Sequence, residues 1–241
     1  MLGVFRILWR LPMLLLMLFV VSPYVAIRIL SKPSSRFVYV ALWSRLLLLC
    51  FGINVTQHGE IPQPPYLLVS NHMGWVDIPA LYTLLPVHFI SKAEIKNWLL
   101  IGQLAKLAGT LFHERGSHHS SGNINQVSAE HLCQGQAIAI FPEGRTWHDD
   151  DVHTFHGRLL QSAKDAKVPI LPVCLRFILN SKRTALPAFR ANENMPGNLW
   201  RLLIAPPMTA EIWVGQEIIP DQDRKSLARQ AQQQVHRLYH Q

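Results

Sequence analysis

Two short segments hold residues whose types and order could carry chemistry. The first is Asn71-His72-Met73-Gly74-Trp75-Val76-Asp77, directly after the apolar run Tyr66-Leu67-Leu68-Val69-Ser70. Such a run reads as a buried strand, and open α/β sheets place their sites just beyond the carboxyl ends of strands. His72 and Asp77 are five positions apart, which on a regular helix separates them by about 140°. They meet only if a turn lies between them, which Gly74 permits. A carboxylate on one imidazole nitrogen fixes the tautomer and supports the protonated ring, the second half of a serine-protease triad. With no serine beside it, His72 would act directly as general base on a substrate hydroxyl. The competing reading is structural: His72 packs or caps, and Asp77 is a charge in the first turn of a helix.

The second segment is Phe141-Pro142-Glu143-Gly144-Arg145-Thr146, again directly after an apolar run, Ala137-Ile138-Ala139-Ile140. Glu, Gly and Arg in a loop after a strand fit an anion site made of backbone N–H groups and a guanidinium. The same residues also fit a plain Pro-Glu-Gly turn. Other chemistries lose their main support, because the chain has no G-x-S-x-G elbow, no G-x-x-x-x-G-K loop and no G-x-G-x-x-G fingerprint. His153-x-x-His156 and His148-Asp149-Asp150-Asp151 invite a metal, but H-x-x-H lacks the i, i+4 spacing of helical zinc sites and no third ligand is evident. A solvated polar loop is the preferred reading, and no metal is assigned. Cys50, Cys133 and Cys174 form neither a disulfide framework nor a CxxC pattern, which fits a reducing cytosol.

The elements that must position these segments follow from the apolar pattern. Tyr66–Ser70, Val87–Ser91, Thr110–His113, Ala137–Phe141, Pro169–Phe177, Leu202–Ala205 and Glu211–Gly215 read as strands. Ile78–Leu85, Ile95–Ala108, Asn123–Gln134 and Arg158–Ala166 read as helices, and the tail from Asp221 to Gln241 as a polar helix with a solvated face. This alternation predicts an α/β fold: a mixed sheet flanked by helices.

Residues 1–59 differ from the rest. Of 23 basic and 15 acidic residues, no acid precedes Glu60, whereas Arg6, Arg10, Arg28, Lys32, Arg36 and Arg45 do, leaving 17 against 15 afterwards. Cations interleaved with apolar runs point to anionic lipid rather than nucleic acid. Leu11–Ile27 is uncharged and would span about 25 Å as a helix, slightly short of a hydrocarbon core of about 30 Å. Phe37–Val55 is interrupted by Arg45, which suits an interfacial helix. The readings in play are a spanning or re-entrant helix followed by an interfacial one, a hairpin, and a cleaved signal whose cleavage pattern is poor. The expected layout is a membrane-anchoring segment, 1–59, joined through Ile61-Pro62-Gln63-Pro64-Pro65 to a domain, 60–241, on the cytoplasmic face of a bacterial inner membrane.

Taken together, the two segments resemble the glycerolipid acyltransferase family, whose type member is the 1-acylglycerol-3-phosphate (lysophosphatidic acid) acyltransferase. Four blocks occur in order: NHMGWVD for N-H-x-x-x-x-D; Gly109–Arg115 for G-x-x-F-x-x-R; FPEGRT for F-P-E-G-T-R; and Val168–Val173 for V-P-I-x-P-V. The resemblance covers about residues 60–180. It implies transfer of a fatty acyl chain from acyl-CoA or acyl carrier protein to a lysolipid hydroxyl, with no cofactor. By it, His72 is the base and Asp77 its orienting partner; Arg115 holds the acceptor headgroup. Glu143, Gly144 and Arg145 would border the acceptor site, and Pro172 the strand wall beside it. Lysophosphatidic acid is the first expectation for the acceptor. The third block, however, reads Gly-Arg-Thr for Gly-Thr-Arg, and Glu114 adjoins Arg115. Both departures suit a less anionic acceptor such as lyso-ornithine lipid. A non-catalytic membrane lipid-binding protein is the alternative of a different class, which the intact His72/Asp77 pair disfavours.

Overall fold

The computed structural model describes residues 2–98, 101–113, 118–147 and 149–241. The chain opens with α1 (Leu2–Leu16), a π turn (Met17–Val21), α2 (Ser22–Ser31) and α3 (Arg36–Cys50). Pro23 has no amide to donate, and the helix widens into the π turn just before it. Ser22 Oγ donates to Met17 O at 2.9 Å and accepts from Trp43 Nε1 at 2.9 Å, which ties α3 to the widened turn.

There follow β1 (Ile53–His58), β2 (Leu67–Ser70), α4 (Asp77–Tyr82), β3 (Val87–Lys92), α5 (Ile101–Leu107), β4 (Leu111–His113), α6 (His118–Cys133) and β5 (Ala137–Ile140). The last elements are α7 (Gln161–Ala166), β6 (Ile170–Leu179), β7 (Lys182–Arg183), α8 (Met195–Ile204), β8 (Met208–Val214) and α9 (Arg224–Tyr239). The sheet order is β1-β8-β6-β2-β5-β3-β4, with β7 paired to β6. Strands β2 to β6 run parallel to one another, β8 lies antiparallel to β6, and β1 is parallel to β8. The expected mixed α/β sheet is therefore the fold.

Alternate residues of each central strand feed two cores. Leu68, Ala137, Ala139, Leu171 and Val173 pack with the helices α1 to α4 and α8. Leu67, Val69, Ile138, Ile140 and Ile170 pack with Leu132 of α6, Ala163 of α7, and Leu227, Ala231 and Val235 of α9. A sheet covered on both faces needs apolar residues at successive positions, which is why these strands read as continuous apolar runs. The tail helix expected to be a solvated face thus buries one side against the sheet.

Three local expectations are corrected. Ile53–His58 was not expected as a strand, yet β1 pairs with β8 along its whole length, Ile53 opposite Met208 and His58 opposite Trp213. Leu202–Ala205 is not a strand but the end of α8, whose first turn is set by Pro196 and by Asn194, whose side chain accepts from Gly197 N at 2.9 Å. The early arginines are not all headgroup charges. Arg10 is fully buried, and its Nη1 donates to the carbonyls of Leu202, Leu203 and Ala205 at 3.3, 3.0 and 2.8 Å. These carbonyls close the C-terminal end of α8, where, among the described residues, only Leu202 O also takes a backbone N–H, that of Ala205 at 3.2 Å. Arg6 Nη1 takes Ile204 O at 3.0 Å, and Arg45 Nη2 takes Thr83 O, just past α4, at 3.0 Å. Gly52, at φ +68°, lets the chain pass Arg10; a Cβ there would lie 2.0 Å from Nη2.

Candidate active site

His72 emerges from the end of β2, and Asp77 opens α4. His72 Nδ1 and Asp77 Oδ2 are 2.8 Å apart, with Asp77 fully buried and the His72 side chain 18% exposed. A carboxylate only accepts, so Nδ1 carries the proton and Nε2 keeps the lone pair. The same Oδ2 accepts the amides of Met73 at 2.7 Å and Gly74 at 2.9 Å, so one oxygen organises the whole turn. Gly74 serves this turn by close packing, not by a left-handed backbone: a Cβ there would stand 3.1 Å from Pro187 O. Phe141 stacks on the imidazole, ring centroids 3.9 Å apart and 11° from parallel, which holds the ring plane.

Asn71, quoted in the sequence block without a role, turns out to fix the dyad's position. Its side-chain amide donates to Leu175 O at 2.7 Å and accepts from Leu175 N at 2.9 Å. The β2–β6 ladder ends at Ser70 opposite Val173, and the Asn71 amide supplies the next pair of bonds in place of backbone. Trp75 adds a second tie, donating to the buried Asn198 Oδ1 at 2.9 Å. Neither tie was predictable from spacing, because each partner lies more than a hundred residues away.

The second segment leaves β5 beside the first. Gly144, at φ +77°, donates its N–H to Phe141 O at 3.1 Å and closes the turn. Glu143 is buried, and its Oε1 accepts from His153 N at 3.3 Å. Burial pushes its carboxyl up to about 8, the nearby negative charge of Asp77 adding to the shift against the amides of His153 and His72. Arg145 is exposed, its guanidinium 3.7 Å above the Trp147 ring. Pro172 lies buried in β6 opposite Val69, and its carbonyl accepts Gly215 N at 2.8 Å; it does not line the cavity. Arg115 lies outside the described residues.

His72, Glu143, Gly144 and Arg145 all face one cavity of about 1850 Å³. The N-terminal helices contribute apolar lining, among it Leu18, Val25, Ile29, Val40 and Leu47. In the polar histidine loop, His153 Nε2 stands 2.7 Å from Asp149 Oδ1. Asp151, His236 and His240 do gather at the surface, with ligand atoms within 4.8 Å of one another. Arg183 Nη1 stands 3.0 Å from His240 Nδ1, which makes that nitrogen the acceptor and leaves the Nε2 proton directed at Asp151, 3.2 Å away.

His72 and its carboxylate partner Asp77 thus meet at the end of β2, with His72 in the lining of a large cavity that many apolar side chains share. Residues 52–176 match the Acyltransferase family, and the chain belongs to it. It is 43% identical over 195 residues to the lyso-ornithine lipid O-acyltransferase of Pseudomonas aeruginosa, covering 80% of this chain and 75% of that protein. It is 35% identical over 183 residues to the 1-acyl-sn-glycerol-3-phosphate acyltransferase of Neisseria meningitidis, covering 75% and 71%. The crystal structure of PlsC, the 1-acyl-sn-glycerophosphate acyltransferase of Thermotoga maritima, shares the fold, with a TM-score of 0.73 at 17% identity over 100% of this chain and 97% of that one.

Proposed function

We propose that this acyltransferase moves a fatty acyl group from acyl-CoA or acyl carrier protein to the free hydroxyl of a lyso-ornithine-type lipid. The reaction would take place at the cytoplasmic face of a bacterial inner membrane, with residues 1–59 as anchor and 60–241 as the acyltransferase domain. His72 Nε2 takes the hydroxyl proton as the oxygen attacks the thioester carbonyl, and Asp77 stabilises the resulting imidazolium. The carbon–sulfur bond then breaks, and the departing thiolate receives that proton. The observation that carries this reading is the 2.8 Å Nδ1–Oδ2 pair set in a cavity that many apolar side chains line.

For the acceptor, the reading reverses the first expectation. The greater identity to a lyso-ornithine lipid acyltransferase favours a phosphate-free headgroup. The second reading, lysophosphatidic acid, is supported by the Neisseria relative. In it Arg115 grips the phosphate. In both, Glu143 and Gly144 shape the acceptor site. The test is thiol release from acyl-CoA by the purified full chain with each acceptor. Faster turnover of lyso-ornithine lipid is expected, and a clear preference for lysophosphatidic acid would establish the second reading. His72→Ala and Asp77→Asn should each lose about 10²- to 10⁴-fold in kcat. If folded His72→Ala kept most of the activity, the base assignment would be wrong.

A further inference from the structure

The rim of the cavity carries positive charge that acyl transfer itself does not use. Arg224, Lys225 and Arg229, on the first two turns of α9, line the cavity together with Arg145. All four side chains are exposed. Among the described residues, none of them takes part in an ion pair. The nearby acids are engaged elsewhere: Asp223 caps α9 by accepting the amides of Lys225 and Ser226 at 2.8 and 3.3 Å, and Asp149 pairs with His153 at 2.7 Å. With 17 basic against 15 acidic residues from Glu60 onward, this local excess stands out from a nearly neutral domain.

The packing places α9 directly on the loop that follows Glu143. A Cβ at Gly157 would lie 2.3 Å from Arg224 O, so the two backbones touch. Phe155 N donates to Gln232 Oε1 at 3.3 Å, and His156 N donates to Pro142 O at 2.8 Å. The α9 cations and the Glu143 loop therefore share one rim. The cavity holds about 1850 Å³, well above the roughly 300–1,000 Å³ of a site for one small ligand. It has room for two substrates, and its lining offers both apolar side chains for the acyl chain and cations for something strongly anionic.

We infer that this rim, Arg145 with Arg224, Lys225 and Arg229, binds the phosphate groups of a CoA thioester donor, an assignment that rests on the acyltransferase reading above. A 3′-phosphate of charge about −2 together with a pyrophosphate matches four cations spread over a helix and a loop, whereas one acceptor phosphate would leave most of them unmatched. Both guanidinium and ammonium groups make charge-assisted bonds to phosphate. The concave setting favours a small molecule reaching into the cavity over the broad face of an acidic carrier protein.

The test is calorimetric binding of CoA itself to the detergent-solubilised full chain, which needs no turnover. The triple variant Arg224→Gln/Lys225→Gln/Arg229→Gln should bind CoA about ten- to a hundred-fold more weakly. The steep salt dependence expected of the wild type should flatten in the variant. Dephospho-CoA should bind the wild type more weakly than CoA. His72→Ala should bind CoA as the wild type does. If the triple variant unfolds, Arg229→Gln alone should still weaken binding by about three- to ten-fold. Unchanged CoA affinity in a folded variant would overturn the assignment. So would unchanged CoA affinity with slower transfer from acyl carrier protein, which would give the rim to an acidic protein. If CoA binding weakens as expected but no lysolipid provokes thiol release, the donor site stands and the acyltransfer reading fails.

Discussion

At the scale of single residues, Glu143 separates what a motif shows from what its surroundings do. Its carboxyl is pushed up to about 8 by burial, with Asp77 reinforcing the shift. At neutral pH it is then mostly protonated, which spares the dyad a second buried negative charge. A carboxyl whose pKa is raised on folding contributes stability that is fully present below the unfolded value of about 4.5 and lost as pH rises through about 8. The thermal midpoint of the wild type in detergent should therefore fall between pH 6 and pH 9 by more than that of Glu143→Gln. Equal falls in the two proteins would show that Glu143 is charged throughout. That His72 and Asp77 meet across a turn was legible from their spacing, and that Glu143 comes near them from the position of both segments after apolar strands. The pKa of Glu143 was not, because it depends on burial and on Asp77, a residue far away in sequence.

At the scale of elements, the His72–Asp77 pair is held in place because β2 delivers it to a fixed position. Asn71 carries the ladder one step beyond the backbone, closing two bonds with Leu175 inside the core. Asn71→Ala leaves a buried N–H and C=O unpaired, which should cost about 2 kcal/mol or more of stability. It should also lower kcat with little change in the donor KM, because the turn bearing His72 loses its register while the cavity rim is untouched. Unchanged kcat in a folded Asn71→Ala protein would mean that Phe141 and the Asp77 turn position the ring unaided. The central strands were legible for a simple reason: sheets buried on both faces need apolar runs, and β2, β5 and β6 as far as Leu175 have them, while β3 is broken only by His88 before Ser91. β1 escaped because Ile53-Asn54-Val55-Thr56-Gln57-His58 is an edge strand with exposed polar positions, next to a longer apolar stretch. The end of α8 escaped because a short leucine-rich run fits strand and helix equally well, and only its N-terminal cap decides.

At the scale of the whole molecule, the N-terminal helices line the cavity on one side and expose large apolar side chains on the other. Residues from Arg10 to Ile29 bury Arg10, Leu14, Met17, Val25 and Ile29 against the rest of the chain, a contact about 28 Å long at ~1.5 Å per residue. Removing α1 to α3 would take away β1's neighbour α3, the Arg10 bonds at the end of α8 and apolar residues of the cavity lining, so truncation cannot separate anchoring from folding. Phe5–Ser31 is long and apolar enough to cross a membrane by length and composition. A helix docked along one side for most of that length, however, is better placed to lie in the interface with its other side in lipid. That other side exposes Phe5, Leu8, Phe19, Ile27 and Leu30, with Phe19 76% and Leu30 70% accessible. So large an apolar surface is a membrane or partner site in a folded protein. Phe19→Asp with Leu30→Asp should leave the fold unchanged, since neither side chain enters either core. Each replacement removes about 1.5–3 kcal/mol of apolar burial in the lipid, so the pair should cut partition to anionic vesicles by at least about a hundredfold in a flotation assay. Retained flotation of the double variant would favour the spanning arrangement of Phe5–Ser31 over the interfacial one, because two acids on one side cannot extract a helix that crosses the bilayer and is held on both faces.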